Sequence, residues 1–149
     1  MLKQQLAQDL KSALLAGEKA RATTIRGLKS VILYAEVAKG TRAEGLADEE
    51  IIALFAKEAK KRQESADLFV KGGAQDRADA ELAEKAIIEQ YLPKKLTDDE
   101  LIVIVDEVIA SLPVSGAQAM GQAISQIKER TSGQADGSRI AQLVKERLL

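Results

Sequence analysis

Apolar residues recur along this chain at helical intervals and almost nowhere in the strict alternation of a half-buried strand. Leu2, Leu6, Leu10, Ala13 and Leu14 form one stripe, which predicts a helix from Leu2 to Ala16 stopped by Gly17. Ile25, Leu28, Ile32 and Ala35 mark the inner side of a second helix, Lys19 to Ala38, closed by Gly40. Asp48-Glu49-Glu50 opens a third, with acids where the helix dipole favours them, and Ile52, Phe55, Ala59, Ala66 and Phe69 mark its inner face until Gly72-Gly73 breaks it. A fourth runs from Ala78 to Tyr91 and buries Ala80, Ala83, Ile87, Ile88 and Tyr91.

Pro93 then punctuates the chain, because the residue before a proline avoids the helical region. Thr97-Asp98-Asp99-Glu100 reads as a capping box, and the helix it starts carries Leu101, Ile104, Val105, Val108 and Ile109 until Ser111-Leu112-Pro113. Leu101 to Val105 could pass for a buried strand, but the cap argues for helix. Two more helices follow, with stripes Met120, Ala123, Ile124, Ile127 and Ile140, Leu143, Val144, Leu148. Between them, Gly133 follows Lys128 and Arg130 as a C-cap does, and Asp136 or Ser138 offers the next N-cap oxygen. Gly121, inside a helix, implies a neighbour close enough that a Cβ would obstruct it. The expected fold is all-α: a four-helix subdomain over residues 1–93 and a three-helix subdomain over 94–149.

Composition narrows the chemistry. Aromatics are only 3% of a chain that is 46% hydrophobic, so Ala, Leu and Ile fill the cores. Histidine and cysteine are both absent, which removes imidazole acid–base catalysis, thiolate nucleophiles and disulfides. No P-loop or serine–lysine arrangement stands out. The carboxylate runs at Asp48 and Asp98 sit in first helical turns, where capping explains them. No catalytic residue, metal site or cofactor is expected. The N-terminus is too polar for a signal peptide and no apolar run is long enough to span a membrane, so a cytoplasmic chain without a membrane partner is the expectation. A net charge of −1 gives no global attraction to nucleic acid, and no DNA partner is implied. Local charge is less even: six basic residues and one acid, Glu36, lie between Lys19 and Arg42.

Met120-Gly121 followed by Gly133-Gln134-Ala135-Asp136-Gly137, after an apolar-basic helix and Tyr91-Leu92-Pro93, resembles the YqeY family. Thr24 to Ser30 and Glu58 to Ser65 are similar to that family's N-terminal helices. The family is related to the tail domain of GatB, a subunit of glutamine-dependent tRNA amidotransferase. The resemblance therefore implies an accessory helical module of a carbon–nitrogen ligase that uses glutamine as amide donor. The chemistry would reside in the complex, and this chain would help to hold tRNA or a subunit. The tRNA-contacting candidates are the loop residues Gly133, Gln134, Gly137 and Ser138 with the flanking cations Lys128, Arg130, Arg139 and Lys145. Arg26, Lys29, Lys61 and Arg62 form a second candidate basic patch. Three positions where the family commonly carries lysine are neutral here, namely Gln118, Ser132 and Gln134. The alternative is a protein–protein adaptor without RNA affinity. Tyr34, Phe55, Phe69 and Tyr91 fall mostly at core spacing, which argues against base stacking. The sequence leaves the oligomeric state open.

Overall fold

The computed structural model describes residues Met1–Leu149 as seven α-helices: α1 (Leu2–Leu15), α2 (Lys19–Lys39), α3 (Asp48–Lys71), α4 (Gln75–Glu89), α5 (Asp98–Ser111), α6 (Ala117–Thr131) and α7 (Gly137–Leu148). There is no strand. Contacts group the chain into two compact units, Met1–Leu92 and Pro93–Leu149.

In the first unit, α3 and α4 pack as a helical hairpin across a turn in which Gly73 takes a left-handed φ of 75°. Leu6, Ile25, Leu28, Ile32, Ile51, Phe55, Ile88 and Tyr91 supply most of the core. The Phe55 and Tyr91 rings meet edge to face, 6.1 Å between centroids, an arrangement that their quadrupoles favour. The Tyr91 hydroxyl donates to Asp9 Oδ2 at 2.6 Å, so this buried polar tip is satisfied. Burial, and then that carboxylate, push the phenol well above its ordinary value. Toward the hairpin's far end the contact thins to Ala66 and Ala78, and charges line it: Arg62 meets Glu58, Glu81 and Glu84 within 3.8 Å, and Lys85 donates to Gln63 at 2.8 Å.

This seam corrects the expected face of α4. Ile88 and Tyr91 are buried as expected, but Ala80 and Ala83 are exposed, Ile87 is half-buried, and Ala78 is buried in their place. An alanine-rich helix has little hydrophobic bias of its own, and in the fold Glu81 and Glu84 lie toward Arg62 of α3. The helix also begins before Ala78, at Gln75, because its N-cap is Ala74, which has no side-chain oxygen to signal a start. Elsewhere Ile51 takes the fully buried place expected of Ile52, Leu14 is 51% exposed, and Ala35 and Phe69 are half-buried. Tyr34 is exposed, since it lies on the side of α2 opposite Leu28 and Ile32.

A buried carboxylate ties α1 to the end of α2 and to the loop before α3. Glu36 accepts from Lys3 Nζ at 2.7 Å and from the Leu46 backbone N–H at 3.2 Å. Gly45 makes this possible: its φ is 78°, and a Cβ there would stand 3.4 Å from Glu36 Oε1. The Lys3 hydrogen bond holds the Glu36 carboxyl below the usual carboxylate range, against the opposing effect of burial.

In the second unit α5, α6 and α7 enclose Leu101, Val105, Val108, Ala123, Ile127, Ile140, Leu143 and Val144. Thr97 Oγ1 accepts the Glu100 N–H and Glu100 Oε2 accepts the Thr97 N–H, completing the capping box. Gly121 overturns the packing expectation. It is exposed, and nothing lies within 4 Å of where its Cβ would be. Ala119 and Ala123, not Gly121, are the small residues that α6 buries.

Candidate nucleic-acid interface

The loop between α6 and α7 is built by its own backbone. Ser132 ends α6 in the left-handed region, φ 38°, and Gly133 follows at 82°. The two reverse the chain, while the Ser132 N–H donates to Lys128 O and the Gln134 N–H to Thr131 O. The helix terminus thus extends to Ser132, one residue before the glycine expected to cap it. Asp136 Oδ1 then accepts the Ser138 N–H at 3.2 Å and starts α7. This carboxylate occupies an amide that a phosphate would otherwise use.

Lys128 lies across that start. A Cβ on Gly137 would meet its Cε at 3.3 Å, so the lysine stem lies close over the glycine and a larger residue would have to displace it slightly. Its ammonium has no ion pair or side-chain hydrogen bond. Gln118, Gly121, Ser125 and Lys128 follow one another at helical spacing along the exposed side of α6, which leads to the loop. Lys145 is exposed two turns into α7, on the same side as Ser138, and is also unpaired.

The arginines are placed differently. Arg130 pairs with Glu107 at 2.8 Å, and Arg139 grips Asp98 through Nε and Nη2 at 3.1 and 3.0 Å. That carboxylate raises the Arg139 pKa further. Arg147 pairs with Asp106 at 2.8 Å. Acids of α5 therefore engage all three, and two tail candidates, Arg130 and Arg139, spend their charge inside the unit.

Gln134 has a structural task. Its carbonyl accepts the Leu96 N–H at 2.8 Å, and its side-chain amide donates to Lys94 O at 3.3 Å. These bonds hold the segment after Pro93 beside the loop and bring Lys94 and Lys95 with it. Both are exposed and unpaired, and neither was among the candidates read from sequence. The signal was the Lys-Lys pair itself. Only the Leu96–Gln134 contact, far apart in sequence, says where it belongs.

The N-terminal candidates divide in the same way. Arg26 and Lys29 are exposed and unpaired on α2. Lys61 pairs with Glu58, and Arg62 with three carboxylates, so the four do not make one free patch. The carboxylate runs are occupied too: Asp48 Oδ1 accepts the Leu2 N–H, and Glu50 accepts the Ala47 N–H while pairing with Lys39. No group of three or more acidic side chains is arranged to hold a metal ion. No helix is long and apolar enough to cross a membrane.

The family model of the Yqey-like proteins matches residues 3–148. No curated protein matches the chain. The match covers nearly the whole sequence, and the chain belongs to the YqeY family.

Proposed function

We propose that this YqeY-family chain is a non-catalytic, cytoplasmic accessory module whose second unit holds tRNA for a glutamine-dependent amidation complex. The family's relation to the GatB tail supports the substrate class. The observation that carries the contact is the set of unpaired lysines around one loop: Lys94 and Lys95 on the segment tethered by Gln134, and Lys128 over Gly137. Ammonium groups recognise phosphates as mobile point charges, which suits a weak, salt-sensitive grip without base readout. The exposed side of α6, smooth at Gly121, would let an RNA backbone approach closely. Amide transfer itself belongs to other subunits, because no paired nucleophile and base is present.

Fluorescence anisotropy of labelled tRNA across a salt series tests this. Lys94→Glu with Lys95→Glu and Lys128→Glu should weaken binding and reduce the slope of log K against log salt by roughly 2–3 units. Gln118→Lys with Ser132→Lys should strengthen it, whereas Gln134→Lys would break the tether to Lys94. Wild-type protein that ignores tRNA at low salt, or a triple variant that binds as well, would sink the proposal. The second reading, an adaptor without RNA affinity, rests on Arg130 and Arg139 being held by α5 acids, and it would then stand.

A further inference from the structure

The two sides of α2 differ in an unusual way. Ile25, Leu28 and Ile32 are buried in the core, yet Leu33, Tyr34 and Val37 are 42%, 75% and 57% exposed. At 100° per residue these three share an outward face with Arg26 and Ser30, and Lys29 lies at its edge. Beside that edge opens a cleft of about 300 Å³, in which Leu6 and Ile32 form apolar walls and Lys29 supplies a cation. The helix's single acid, Glu36, is buried and held by Lys3, so it does not offset Arg26 or Lys29.

We propose that the outward face of α2 docks an amphipathic helix of a partner protein that carries acidic residues beside its apolar stripe. The partner's apolar residues cover Leu33, Tyr34 and Val37, one of them entering the cleft, and its acids meet Arg26 and Lys29. Complementarity of charge selects this occupant: two unopposed cations and three apolar side chains on one face ask for both properties in one ligand. At 21 residues, or roughly 31 Å, α2 is long enough for several turns of a partner helix. A nucleic acid satisfies only half the surface, because aliphatic Leu33 and Val37 offer nothing to a phosphate or a base. A second copy docking through the same face would bring the cations of both α2 helices together with no acid from either. The inference concerns the first unit and does not depend on the tRNA reading of the second.

Two fluorescein-labelled synthetic helical peptides test it against the full chain: one with a leucine stripe flanked by glutamates, the other with lysine in place of each glutamate. The glutamate peptide should bind at least about tenfold more tightly than its twin. Arg26→Glu with Lys29→Glu should reverse that preference, and Leu33→Ser with Val37→Ser should lower affinity about tenfold. All four positions are exposed, so circular dichroism should be unchanged. The proposal fails if neither peptide binds, or if both bind alike and charge reversal changes nothing. It also fails if tRNA displaces the peptide, or if sedimentation shows a wild-type dimer that Leu33→Ser dissolves.

Discussion

The two units carry similar kinds of charge and use them in opposite ways. In the first, charge enters the packing: Glu36 is buried and held by the exposed Lys3, and Arg62 binds three carboxylates along the α3–α4 hairpin. In the second the core is apolar, and Arg130, Arg139 and Arg147 pair with α5 acids at the surface. Exposed ion pairs contribute little to stability, whereas a buried carboxylate depends on its partner. The first unit should therefore respond to acid more strongly than the second, although each has an apolar core. A count of cations also says little about availability. The arginines of the tail's loop are engaged and its lysines are not, and on α2 the cations are free beside an apolar face.

The sharpest way to break the comparison is to unfold one unit alone. Phe55 is fully buried against Tyr91, and Phe55→Ala should cost the first unit about 3–5 kcal/mol. If the units fold separately, calorimetry should show one transition lowered and the other unmoved. A fragment of residues 93–149, which keeps the Leu96–Gln134 bond, should then melt with helical circular dichroism like the unmoved transition. A single transition that shifts as a whole would make the chain one cooperative body.

Acid should separate the units next. The Lys3 hydrogen bond depresses the Glu36 pKa, and Lys39 depresses that of Glu50. A carboxylate whose folded pKa lies below its unfolded value, about 4.3, stabilises the fold above that pH and loses this contribution as pH falls through the folded value. The first unit's melting temperature should therefore drop on acidification below about pH 4. Lys3→Met should lower it at neutral pH and flatten the pH dependence. A variant as acid-sensitive as wild type would remove Glu36 from the account.

The helices and most of their ends were legible in the sequence, because capping chemistry is local. Thr97 and Glu100, Gly40 and Asp136 all act where their spacing put them. Which side a helix buries was legible in α5, while in α1 and α3 Leu14 and Ile52 missed the buried face. In α4 it was not, since Ala80 and Ala83 look as apolar as Ala78, and the packing of α4 on other helices decides between them. The candidate site was half-legible. The loop and Lys128 could be placed by local pattern, but the pairing of Arg139 with Asp98 and the tether of Lys94 to Gln134 join distant segments. Tyr34 was misplaced because an aromatic in a helix is taken for core, and α2 puts it on the outside.

The smallest effect tests the second unit most closely. Gly121 lies inside α6 with open space where its Cβ would be, so the unit gains nothing internal from glycine there. Gly121→Ala should stabilise the second unit by about 0.5–1 kcal/mol, because alanine loses less backbone entropy in a helix interior. Chemical denaturation of the 93–149 fragment would read this directly. A loss of stability would mean that some neighbour does approach the residue, and that the surface beside Lys128 is not smooth. The same variant should weaken tRNA binding, since the added methyl group stands between α6 and an RNA backbone that follows Lys128. Higher stability with weaker binding is the combination that marks a glycine kept for a ligand. Higher stability with unchanged binding would move the RNA contact off α6 and leave it to Lys94 and Lys95.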